Sequence, residues 1–118
     1  MNEAQLINIL NQLQQLNAEN EIVEFKEAKI NYDFNKLGKY FSALCNDANL
    51  KGKTHAWLVF GIVDKDKVIV GSQFRNTNRA HLDSLKKEVA DKTTNRITFI
   101  EIYELLLPQG RVIMFQIP

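Results

Sequence analysis

Hydrophobic positions recur with two different periods along this chain, and the switches between them mark its elements. Leu6, Ile9, Leu10, Leu13 and Leu16 fall at helical spacing and predict an amphipathic helix over residues 3–16, with Asn and Gln on its other face. The stretch Glu19–Ala28 then sets four glutamates and a lysine among Ile22, Val23 and Phe25. The β-branched and aromatic residues predict a strand from Glu21, with Glu24 and Lys26 on one face and Val23 and Phe25 on the other. Asn31-Tyr32-Asp33 reads as a turn with Asp33 as an N-cap. Leu37, Tyr40, Phe41, Leu44, Cys45 and Ala48 follow as a wide helical stripe that predicts packing on a sheet.

Beyond a polar, basic loop over 49–55, residues 56–63 form a continuous apolar run. Such a run predicts a central strand covered on both faces. Residues 64–67 turn the chain, Val68-Ile69-Val70 predicts a returning strand, and a polar loop over 72–79 follows. Leu82, Leu85 and Val89 mark the inner face of a third helix. Residues 96–103 and 111–117 predict two further strands around the turn signal Pro108-Gln109-Gly110. The expected fold is therefore α+β: a single mixed sheet with packed helices, in the order α-β-α-β-β-α-β-β.

Length and composition narrow the class. At 118 residues the chain is expected to be one domain, and 45% hydrophobic with 25% charged residues is ordinary for a globular protein. The net charge of +1 implies no global attraction to nucleic acid or membrane, so any such binding needs a local basic patch. The lone Cys45 excludes an intrachain disulfide, and inside the apolar stripe it reads as a small buried thiol. With no signal-peptide pattern and no apolar run long enough to span a bilayer, a cytoplasmic protein without membrane contact is expected. The chain stops at Pro118 straight off a strand pattern, which leads us to expect a longer protein with a downstream domain.

Candidate chemistry lies in two sets of residues. Phosphate-binding and dinucleotide glycine motifs are missing, as are zinc spacings, and neither His55 nor His81 has a catalytic partner in sequence. Carboxylates remain: Glu19 and Glu24 flank the start of the first strand, and Asp64 ends the central one. If those strands are neighbours, the three carboxylates converge and a divalent cation, magnesium or manganese, would neutralise them. Such a site activates water against a phosphodiester, and Glu24-Phe25-Lys26 has the E-x-K spacing of many metal-dependent nucleases, with Lys26 polarising the water. The alternative is a set of solvated strand ends, with Asp64 a turn former. The second set is basic: Lys51, Lys53 and His55 in one loop, Arg75 and Arg79 in another. Both flank the predicted central hairpin, so they are expected either to form one positive rim for backbone phosphates or to be ordinary mixed surface.

These residues together resemble a known family. Glu19, Glu24, Phe25 and Lys26, then Ser42-Ala43-Leu44-Cys45-Asn46, then Leu58 to Asp64, then Val70-Gly71, match in order the blocks of the Schlafen AlbA-type domain. The resemblance runs from about Glu19 through Arg75, and the tail 111–118 also looks like the strand that follows in bacterial members. It implies a DNA-binding domain of bacterial transcriptional regulators or helicase-related proteins. Animal relatives cleave RNA with three acidic residues, which match Glu19, Glu24 and Asp64 by motif position. Many members carry Gly-Gly before the central strand, where this chain has the more basic Asn49–His55, favouring lysine contacts to phosphate. Three functions stand as expectations: a DNA- or RNA-binding module, a metal-dependent nuclease, or a non-catalytic oligomerisation or scaffolding domain, such as a homodimer, with its first helix at the contact.

Overall fold

The computed structural model describes residues 1–15, 22–76, 79–93 and 96–118. Its elements run α1 (Glu3–Gln15), β1 (Val23–Lys26), α2 (Phe34–Leu50), β2 (Ala56–Phe60), α3 (Arg79–Lys92), β3 (Glu101–Leu107) and β4 (Gly110–Ile117). The strands form one sheet in the order β1-β2-β4-β3, parallel between β1 and β2 and antiparallel elsewhere. The α+β fold with a mixed sheet is therefore present, and none of the described helices is long and apolar enough to cross a membrane.

All five residues of β2 are buried, as the unbroken apolar run requires. Leu58 and Phe60 join Phe115 and Ile113 under α2 and α3, where Leu37, Phe41, Leu82 and Leu85 complete the larger core. Trp57 and Val59 point the other way, into a second cluster with Phe25, Met114 and α1 residues Leu6, Leu10 and Leu13. The sheet thus lies between one helix and two. Asp33 caps α2 as expected, its carboxylate accepting from the Asn35 amide at 3.3 Å.

Two elements differ from the sequence expectation. Residues 68–70 do not form a strand; a single bridge joins Ile62 and Ile69. Gly61 is the reason. Its φ is +97°, and a Cβ there would stand 2.6 Å from the Arg111 carbonyl oxygen, so the chain bends sharply out of the sheet after Phe60. The strand expected over 96–103 lies instead at Glu101–Leu107. A two-residue turn pairs Leu107 with Gly110, which fixes Glu101 opposite Gln116. Because β4 ends at Ile117, residues further upstream have no strand left to pair with. Propensity at Ile97 and Thr98 yields to the register.

One buried polar node joins these pieces. Arg111, only 8% exposed at its side chain, donates to Glu104 at 2.6 Å and to the carbonyls of Ser72 at 3.1 Å and Phe74 at 2.7 Å. Ser72 in turn donates through its hydroxyl to the Ala28 carbonyl at 2.6 Å, and the Gln73 amide reaches the Lys29 carbonyl at the same length. Removing one partner of a buried charge pair leaves the others uncompensated. We expect Arg111→Met to cost about 3–5 kcal/mol in urea unfolding. A loss below about 1 kcal/mol would show the node to be incidental.

Candidate nucleic-acid interface

β1 runs parallel to β2 with Glu24 opposite Leu58 and Lys26 opposite Phe60, which turns both charged side chains toward α2. Their charged ends lie 3.4 Å apart, each side chain about one-third exposed at 33% and 29%. Lys26 continues over the ring of Tyr40 on α2, its ammonium 4.6 Å from the centroid. A hydrogen bond with the Tyr40 hydroxyl, more than the charge of Glu24, holds the lysine above its ordinary pKa against partial burial. The ammonium is accordingly charged at neutral pH.

This meeting of β1 and α2 forms a groove of about 550 Å³ lined by Lys26, Tyr32, Lys36, Lys39, Tyr40 and Ala43. Lys36, Tyr40 and Ala43 recur at helical spacing on one face of α2, and Lys39 flanks them. Tyr32 packs against Phe60 with ring centroids 4.8 Å apart, and burial pushes its phenol above the ordinary value. A second groove of about 530 Å³ shares Lys26 and Tyr32 and continues past Phe25, Glu27, Ala28, Val63, Asp64 and Lys65. Asp64 is exposed there and lies 3.3 Å from Lys67.

The expected carboxylate set is only partly described. β1 does lie beside β2, but Glu19 falls outside the described residues. Glu24 lines neither groove, whereas Asp64 lines the second, on the far side of Lys26. Among the described residues no group of three or more His, Cys, Asp or Glu side chains is arranged to hold a metal ion. Glu24 and Asp64 each face a lysine, and with Glu19 outside the described residues these two carboxylates do not by themselves make the expected three-carboxylate set.

The two basic loops stand apart. Lys51 and Lys53 are exposed where α2 ends, their amides donating to the carbonyls of Asp47 and Ala48 at 3.0 and 2.8 Å. His55 is half-buried edge-on against Trp57, with a ring-centroid distance of 5.5 Å. This loop precedes β2. Arg75 lies by Arg111, beyond the opposite end of β2. It makes a bidentate pair with Glu88 of α3 and donates to the His81 carbonyl. Arg79 pairs with Asp83 at 3.1 Å and donates to the Ile102 carbonyl of edge strand β3, where Lys86 also reaches the Ile100 carbonyl. The structure therefore does not join Lys51, Lys53 and His55 with Arg75 and Arg79 into a single rim.

Sequence reading passed over Tyr32, Lys36, Lys39 and Tyr40. Tyr40 belongs to the predicted apolar stripe, and the helical pattern assigns no role to Lys36 and Lys39. The available signal was the placement of two lysines close to Tyr40 along α2. Cys45 is half-buried against the larger core, in keeping with a small packed thiol.

A family model described as Schlafen, AlbA_2 matches residues 19–118. No match was found among curated proteins or among solved structures.

The paired acids of α3 and β3 set a pH dependence. Glu88, hydrogen-bonded by Arg75, and Glu101, hydrogen-bonded by Lys86, both titrate below their ordinary 4.5 in the folded state. Depressed folded values mean stability that is present above about pH 4.5 and lost as pH falls through the folded pKa values. In urea midpoints measured from pH 7 down to pH 3, we expect Glu88→Gln/Glu101→Gln to be less stable at neutrality and to decline less steeply on acidification.

Proposed function

The chain belongs to the Schlafen AlbA_2 family over residues 19–118, and from that premise we propose that it is a nucleic-acid-binding module that contacts backbone phosphates. This is the role expected of a DNA-binding domain in a transcriptional regulator. One observation carries the reading: exposed lysines are spread along α2 and the loop that leaves it. Lys36 and Lys39 lie near its start, and Lys51 and Lys53 at its end. The helix has 17 residues and is about 25 Å long, so these cations span several phosphates of a nucleic-acid backbone.

Availability separates these lysines from the arginines. Among the described residues none of the four is in an ion pair, whereas Arg75 and Arg79 are engaged with Glu88 and Asp83. A cation already paired must give up its carboxylate to take a phosphate, which reduces the net gain. With a net charge of +1, local placement rather than total charge supplies the attraction. His55 borders the Lys51–Lys53 end and adds a hydrogen-bonding ring there.

The test is a titration of labelled DNA and RNA at two salt concentrations. Affinity is expected to fall steeply with salt, and Lys51→Ala/Lys53→Ala should weaken binding uniformly across sequences. Each lost phosphate contact lowers the log–log salt slope by about 0.9, so the double variant should lose roughly twice that. Absence of binding at low salt would reject the proposal.

A further inference from the structure

We infer that the groove between β1 and α2 takes one unpaired nucleotide of a single strand, its base on the carbon surface of Tyr32 and Tyr40 and its phosphate on Lys36 and Lys39. The inference rests on the nucleic-acid reading above and deepens it. A volume of about 550 Å³ lies within the range of about 300–1,000 Å³ typical of small-ligand sites. Two aromatic rings, the methyl of Ala43 and lysine stems make much of the wall apolar, while the three lysines make it cationic. An occupant must therefore combine a flat, apolar body with negative charge.

A paired strand offers only half of that combination. In a duplex the base faces are stacked inside, and only phosphates, sugars and base edges are presented. An unpaired strand presents both, and base stacking on aromatic side chains is the sequence-tolerant way in which single strands are held. The inner cation is already in place, because Lys26 stands over Tyr40 and beside Glu24. Lys36 and Lys39 are exposed at the rim, positioned to meet a phosphate arriving from solvent.

The neighbouring groove bears on the side the phosphate takes. It shares Lys26 and Tyr32 but carries Glu27 and Asp64 against Lys65, so its lining charges cancel, whereas the charges lining the first groove are all positive. The phosphate therefore belongs on the α2 side of Lys26, and the base on the tyrosines.

The experiment compares oligo-dT, oligo-U and duplex DNA of equal length, followed by fluorescence anisotropy at low salt. Wild-type protein is expected to bind the single strands more tightly than the duplex. Tyr40→Ala should weaken single-strand binding about tenfold and leave the duplex little changed. Lys36→Glu/Lys39→Glu, a surface change that spares the core, should weaken single-strand binding at least as much. Single strands bound no better than duplex would overturn the inference, as would wild-type affinity in both variants. Free dTMP matching the oligonucleotide in affinity would overturn the strand as the occupant. In each of these cases the wild type still binds nucleic acid. Failure to bind any of the three polymers would instead remove the function on which the inference rests.

Discussion

The guanidinium of Arg111 is the constraint on which the arrangement of this molecule depends. A buried cation is tolerated only when its donors are used, and here Glu104 and the Ser72 and Phe74 carbonyls use them. Those partners come from β3 and from the loop that follows the bridge at Ile62 and Ile69. Through Ser72 and Gln73 the same loop holds the carbonyls of Ala28 and Lys29, where the chain leaves β1. The path from β1 to Tyr32 is thus anchored on the far side of the sheet from α1.

α2 carries two duties that usually compete. Its buried stripe, Leu37, Phe41, Leu44 and Ala48, closes the larger core, while Lys36, Lys39 and Tyr40 line a surface groove. Helical periodicity separates the duties by angle. Positions three and four apart share a face, so the apolar stripe can remain continuous while the adjacent arc changes composition. Tyr40 lies at the border, half-buried against the core and still facing Lys26.

Much of the fold was legible because its signals are local. The five buried residues of β2, the Asp33 cap and the alternation at Glu24, Phe25 and Lys26 all follow from periods and side-chain chemistry within a short window. What escaped depended on partners distant in sequence. The strand expected at 68–70 failed because Gly61 meets the Arg111 carbonyl, a contact across fifty residues of chain. The start of β3 was set by register against β4. The candidate site was less legible for the same reason. Glu24 and Lys26 were visible as a spacing, but the groove exists only where α2 residues meet Lys26 of β1. Arg75 and Arg79 looked available until α3 and β3 supplied their carboxylates and carbonyls. The expected convergence of Glu19 with Glu24 and Asp64 depends on a residue beyond the described ones.

The contacts of Arg79 and Lys86 also bear on how this sheet meets other chains. β3 is an edge strand, and an edge with open carbonyls is a template for a foreign strand. Here the carbonyls of Ile102 and Ile100 are already taken by two cations from α3. A strand approaching that half of β3 would have to displace both side chains and would meet positive charge as it did so. The other edge, β1, is only four residues long and offers little to pair with. Arg79, expected from the sequence to meet phosphate, thus joins Lys86 in covering an edge of the sheet.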